Sequence, residues 1–321
     1  MKRFLTILLL LINTGLVYAQ QDAQQSQYMF NGVYINPAYA GYKEILNLHA
    51  YYRSQWTGVE GSPRSMSLAV DATANNGNVG FAFQVASDKL GAQEYLSAYA
   101  NYAYRLRMNE DGSSRLAFGL GAGFMQLGMN GSKLDPNDPE PDMFTGTQST
   151  IVPDARLGVY YSDNKFYAGL SADNLIAQHI NVRKDGYIAQ PKAHYYLTGG
   201  MLFPLSQDVM LKPSFLLKDD RGGPTSLDIN AFVLLGEKLW LGGSYRTAVK
   251  LYDKSYLQND LTPLNSITAA AEFFPNPYLR IGYGYDFSIG PLRGYDGGTH
   301  EISIGIYFKT KQSRMLTPRY F

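Results

Sequence analysis

From Tyr278 onward the chain alternates with a period of two. Leu279, Ile281, Tyr283, Tyr285 and Phe287 fall on one side, and Arg280, Gly282, Gly284 and Asp286 on the other. The last stretch before the tail repeats the pattern, with Ile302, Ile304, Ile306 and Phe308 against Glu301, Ser303, Gly305 and Tyr307. Leu239, Leu241 and Tyr245 likewise oppose Trp240, Ser244 and Arg246. Successive side chains of a strand point to opposite faces, so this pattern predicts β-strands with one apolar face. The opposite face carries Gly, Ser and full charges, which a sandwich core would bury at high cost and a hydrated lumen can hold.

The same reading along the chain predicts about fourteen strands, an even number as bacterial single-chain membrane barrels require. They start near Ile45, Arg64, Val79, Gln93, Arg115, Pro153, Lys165, Ala193, Val209, Ser226, Lys238, Ser266, Tyr278 and His300. The connections sort by parity. One alternating set is short: Ser162 to Asn164, Pro204 to Asp208, Gly236-Glu237 and Pro275 to Pro277. The other is long: Gly128 to Val152, Asn174 to Lys192, Ala248 to Asn265 and Ser288 to Thr299. A membrane barrel has short periplasmic turns and long outer loops, whereas a sandwich has no reason to sort them. The fold class expected is all-β, a transmembrane outer-membrane β-barrel of antiparallel strands.

Composition agrees with a wall between lipid and water. Charged residues are 17% of the chain, below the roughly 25% of an ordinary soluble domain. Aromatic residues reach 14%, with 26 Tyr, alongside 32 Gly. Lys2 and Arg3, the apolar run Phe4 to Leu11 and the end Val17-Tyr18-Ala19 have the three parts of a secretory signal peptide, with cleavage expected after Ala19. The expected organisation is a signal peptide over 1–19, an N-terminal periplasmic segment over 20–44, the barrel over 45–308 and a polar tail over 309–321. The segment Gln20 to Tyr42 is too irregular for a strand, and lies either in the periplasm or tucked into the barrel mouth. Both termini are expected in the periplasm. No second run of about 20 apolar residues follows, which argues against a helical membrane protein. A net charge of +1 argues against nucleic acid as a partner, and the absence of cysteine excludes disulfides and thiolate metal sites.

Motifs for chemistry are few. Gly119, Gly121 and Gly123 alternate with Leu120, Ala122 and Phe124, so they read as lumen-facing glycines; a nucleotide loop needs a strand-to-helix turn. The acidic, proline-rich stretch Asp135 to Asp142 could offer oxygens to calcium but lacks the EF-hand glycine and distal glutamate, and reads as a stiff outer loop. His49, His179, His194 and His300 are scattered, and no nucleophile–base pair assembles, so neither an enzyme nor a cofactor is expected. The alternation turns Arg53, Asp71, Arg105, Arg156, Asp228, Arg246, Glu272, Arg280, Asp286 and Glu301 inward. Their mixed signs suit cross-strand ion pairs that rigidify the interior better than the segregated charge of a selective pore. A polar surface that grips an inserted peptide is the functional alternative.

The stretch Gln27-Tyr-Met-Phe-Asn31, followed by Asn36-Pro-Ala-Tyr-Ala-Gly41, resembles the amino-terminal signature of the PorP/SprF family of outer-membrane proteins. The likeness continues through Tyr52-Arg-Ser-Gln-Trp56-Thr-Gly58, Pro63-Arg64, Pro153-Asp154, Gly169-Leu-Ser171, His194 to Gly200, Gly242 to Arg246, Gly282 to Phe287 and His300 to Ile302, nearly the whole mature chain. The resemblance implies a part in type IX secretion and gliding motility, in the outer membrane of a Gram-negative bacterium. The partners it implies are outer-membrane lipid, a secreted surface protein such as an adhesin recognised through its C-terminal sorting domain, and other secretion components. The alternative is a porin or hydrophobic-solute transporter. Asn36, Pro37, Tyr39, Gly41, Gln55 and Trp56 are the residues expected to carry family-specific function. Their structural reading stands beside it: Pro37 and Gly41 set a turn into the first strand, and Trp56 anchors at the interface.

Overall fold

The computed structural model describes residues 24–133, 146–182, 188–221, 223–254, 265–289 and 293–308. The signal peptide, the acidic stretch at 135–142 and the tail at 309–321 lie outside the described residues. Antiparallel strands follow in chain order: β1 (Leu46–Ser54), β2 (Arg64–Ala74), β3 (Val79–Leu90), β4 (Gln93–Arg107), β5 (Arg115–Asn130), β6 (Thr147–Ser162) and β7 (Phe166–Asp173). Then come β8 (His194–Met201, resuming as Phe203–Pro204), β9 (Val209–Asp219), β10 (Thr225–Leu235), β11 (Leu239–Val249), β12 (Ser266–Asn276), β13 (Leu279–Ser288) and β14 (Thr299–Phe308). Each strand pairs with the next, and β14 pairs with β1 from Leu46↔Phe308 to Ser54↔His300. The sheet is therefore a closed 14-strand barrel without a free edge.

Alternation sets the two faces. On β13, Ile281 is 44% exposed while Arg280 beside it is 1% exposed. Outward apolar side chains such as Phe83, Leu120, Leu170 and Ile304 form the surface that meets hydrocarbon. The observed strand starts follow the sequence pattern with one exception. β6 begins at Thr147 instead of near Pro153 and β5 runs to Asn130, so the connection expected over Gly128 to Val152 is shorter at both ends. Both strands have 16 residues, against the 9–11 that a crossing needs. Thr147-Gln148-Ser149-Thr150 has no reason to carry an apolar face where the strand outruns the bilayer.

The connections sort to two ends. Residues 75–78, 108–114, 163–165, 205–208, 236–238 and 277–278 make the short-turn end. The connections after β1, β5, β7, β11 and β13 leave from the long-loop end, where those after β3 and β9 are the brief exceptions. The turn between β6 and β7 is built by Asp163, whose Oδ1 accepts the backbone N–H of Lys165 at 2.8 Å and of Phe166 at 2.7 Å. Burial pushes the Asp163 carboxyl up, but those two N–H groups and the Tyr161 hydroxyl outweigh it and hold the carboxyl below its usual range.

Residues 24–44 lie inside the barrel, against its inner wall. They form three single 3-10 turns, Tyr28–Phe30, Gly32–Tyr34 and Pro37–Tyr39, whose side chains are largely buried. Gln24 sits beside Arg246 in the half of the lumen nearer the long loops. The chain then descends to Gly41, beside Asp71 and Ala72 near the short-turn end, and turns into β1. The first described residue is thus at the opposite end of the lumen from the start of β1. The core of the protein is this lumen, where the segment packs against the inner wall.

Candidate functional site: the occupied lumen

In the half nearer the short turns, the segment is held by shape. Asn36 opens the Pro37–Tyr39 turn: its Oδ1 accepts the N–H of Ala38 at 2.9 Å, and Pro37 is at the turn's first position, where no N–H is needed. The Asn36 Nδ2 donates to the carbonyls of Val159 (3.1 Å) on β6 and Leu170 (3.4 Å) on β7. Gly158 and Gly169 lie on the inner face beneath Asn36, and a Cβ on either would collide with it. A Cβ at Gly119 would strike the backbone of Pro37 and Ala38. The inward glycines are thus the seat of the motif. Gly41 has φ of +67°, donates its N–H to Asp71 Oδ2 at 3.1 Å, and leaves no room for a side chain against Ala72 and Gly80. Tyr39 packs on Tyr42 at 4.6 Å between ring centroids, and both meet Tyr160 edge-on. Inward alanines 69, 82, 103 and 117 line the rest of this cluster.

Beside it, Phe30 and Trp240, both at 0% exposure, join Phe232, Leu234, Phe274 and Tyr307 in a second apolar cluster. Cations reach into it for the backbone. Lys212 Nζ donates to the Met29 carbonyl at 3.0 Å and lies 5.3 Å from the Phe30 ring centroid. Arg280 Nη1 donates to the Phe30 carbonyl at 3.4 Å and is 3.3 Å from Glu272. Lys43 Nζ donates to the Tyr307 hydroxyl at 2.9 Å.

The half nearer the long loops is held by charge. Glu301 accepts the N–H groups of Ser26 (2.8 Å) and Gln27 (2.9 Å), and Arg53 bridges Glu301 (3.1 Å) and Asp286 (2.7 Å). Ser26 Oγ donates to Asp286 at 2.8 Å and accepts from Arg53 at 2.7 Å. Arg246 is bidentate with Asp228 at 2.8 Å for each contact, and also donates to Gln24 Oε1 and the Gln25 carbonyl. Arg156 pairs with Asp173 at 2.9 Å and donates to the Tyr34 carbonyl at 2.7 Å. Buried pairs of this kind persist because each retains good geometry and further hydrogen bonds. Above them is a cavity of about 140 Å³, lined among others by Gln25, Ala86, Ser97, Tyr99, Asp173 and Arg246.

The structure brings Asn36, Pro37, Tyr39 and Gly41 together in the lumen. Gln55 and Trp56 are elsewhere, in the 55–63 loop at the long-loop end. The Trp56 N–H donates to Thr299 Oγ1 at 3.2 Å, and the next residue, Thr57, exchanges backbone bonds with Gly297 and Gly298 of the facing loop. Arg246, Glu272, Arg280, Asp286 and Glu301 all face the lumen and are buried. Arg280 and Asp286 share a face of β13 yet take different partners, Glu272 and Arg53. Asp71 and Arg105 hold the backbone of the segment at Gly41 and Ala40. Missing from the sequence reading were Gln25, Ser26, Lys43 and Lys212. A signal for them existed in the inward positions of Phe232, Leu234 and Trp240, which a water-filled lumen would not place together.

The sequence matches the family described as type IX secretion system membrane protein PorP/SprF over residues 17–306. No curated protein matches it. Among solved structures, the barrel is similar to the CymD monoaromatic hydrocarbon channel, at 10% identity and a TM-score of 0.53, covering 89% of this chain and 94% of that one. Lower TM-scores of 0.47 and 0.46 are found with the Acinetobacter baumannii outer membrane protein Omp33 (9% identity, 83% and 98% covered) and a Pseudomonas aeruginosa FadL homologue (10% identity, 92% and 96% covered). At such identities the likeness is one of fold.

Proposed function

Because the chain belongs to the PorP/SprF family of type IX secretion system membrane proteins, we propose that it is a docking barrel of the outer membrane, not a diffusion pore. Its long loops face the cell exterior, its short turns face the periplasm, and it holds or receives a secreted surface protein through that protein's C-terminal sorting domain. The carboxy end of β14 is periplasmic in this topology, and other secretion subunits meet the barrel from that side. The protein carries out no chemistry of its own.

One observation supports this reading over a porin: the lumen is filled by residues 24–44, fastened by charge at one end and by close packing at the other. Ions or solutes crossing the barrel would first have to displace a buried segment. Recognition then falls to the loops that a rigid wall presents, as is usual for binding scaffolds.

Deletion of the gene tests it. The expected result is the loss of one or a few surface proteins with outer-membrane permeability little changed. Surface proteins left intact, together with abolished uptake of a small solute, would replace this reading with that of a hydrophobic-solute transporter.

A further inference from the structure

We infer that the lumenal cavity beside Gln24 and Gln25 is a peptide-binding subsite, which takes one or two residues of an extended chain entering from the long-loop end. This rests on the docking reading and says where the secreted partner touches the barrel. Three observations carry it. Gln25, only 8% exposed, lines the cavity, and neither its Nε2 nor its Oε1 has a hydrogen-bond partner among the described residues. A buried primary amide offers both a donor and an acceptor. In an extended chain the N–H and C=O of one residue point to the same side, and a primary amide matches that pair.

The second observation is what the wall already binds. Glu301 accepts the N–H groups of Ser26 and Gln27, Arg246 donates to the carbonyl of Gln25, Arg156 to that of Tyr34, and Lys212 to that of Met29. These side chains grip backbone atoms, so the wall is a surface for peptide and the chain's own segment occupies most of it. The third is charge. Arg246 is paired with Asp228 and Arg156 with Asp173, and Lys218 is the remaining charged residue of the lining. At about 140 Å³ the space suits a residue or two and not a folded element.

The test uses the full chain in detergent micelles with N-acetyl-trialanine amide as the probe and maltotriose as the sugar comparison, followed by calorimetric titration. The peptide is expected to bind saturably. Gln25→Ala should weaken it on the order of tenfold, the loss of about 1.4 kcal/mol. Ala86→Trp and Ser97→Trp, which fill the cavity from facing positions of β3 and β4, should abolish binding while the barrel still runs as a heat-modifiable folded band. Peptide binding untouched by the two tryptophans, binding of the sugar alone, or no binding of either overturns the inference. In cells, a deletion that strips a surface protein while Ala86→Trp and Ser97→Trp leave it displayed refutes the subsite and leaves the docking reading standing. A deletion without effect on surface proteins refutes the docking reading itself.

Discussion

The two halves of the lumen hold the same short segment with different balances of packing and charge. Toward the short turns, Asn36 to Tyr42 are fitted among alanines, glycines and stacked tyrosines, with Phe30 and Trp240 closing the adjacent cluster. Toward the long loops, Gln24 to Gln27 are held through ions and hydrogen bonds, next to a cavity. Close packing of glycine against backbone admits one arrangement and no substitute. A charged surface that grips N–H and C=O groups accepts any chain that supplies them. The lower half is a fixed seat and the upper half is a surface where one peptide can yield to another.

The largest effect should come from removing residues 24–44. The intact barrel is expected to be silent in planar bilayers, and the shortened one to show discrete conductance steps through its charged lumen. A shortened barrel that stays closed would mean that the wall itself seals the lumen and that neither half of the segment matters. Next in size is Trp240→Ala in the packed half. Loss of a fully buried ring should cost roughly 3–5 kcal/mol in reversible unfolding from bilayers. Ile281→Arg on the lipid face should cost about 2–4 kcal/mol, and the same amount in the barrel lacking 24–44, because Ile281 looks away from both halves. A cost that changed with the segment would mean that the lipid face and the lumen are coupled. The smallest effect is expected from Glu301→Gln in the charged half, about 1–3 kcal/mol. Hydrogen exchange should quicken at Ser26 and Gln27 and stay slow at Ala38 and Gly41. Equal quickening at all four would show that the two halves open together and would break the distinction between them.

The barrel was legible because lipid imposes a rule on every strand that crosses it. Ile281 and Arg280, or Ile302 and Glu301, declare their faces to anyone counting by two. Where that rule lapses, so did the reading. Thr147 to Val152 continue β6 past the apolar band, and their alternation is unmarked. The amino-terminal segment obeys no period because its partners are set by the wall: Ser26 meets Glu301 across 275 residues, and Asn36 meets β6 and β7. Asn36, Pro37, Tyr39 and Gly41 were recognisable as a motif, yet the reason for them is written in Gly119, Gly158 and Gly169, which look like ordinary lumen glycines until something is placed over them. Gln55 and Trp56, grouped with them in sequence, belong to the other end of the barrel.

The clasp on Ser26 and Gln27 draws on the first strand and the last two: Arg53 from β1, Asp286 from β13 and Glu301 from β14. Arg53 and Glu301 are directly opposite one another across the seam where β1 and β14 meet. Until that seam zips, the clasp does not exist, although the residues it must catch were the earliest of the three parts to be synthesised. Pairing of such distant strands is slow by nature, since the chain must close its longest loop first. During that wait Ser26 and Gln27 are unclasped, and the charged end is left to Arg246, through Gln24 and Gln25. Capture of that pair therefore reports that the circle of strands is complete, and a half-built barrel differs from a finished one by a loose amino-terminal strap that a protease or an assembly factor can find.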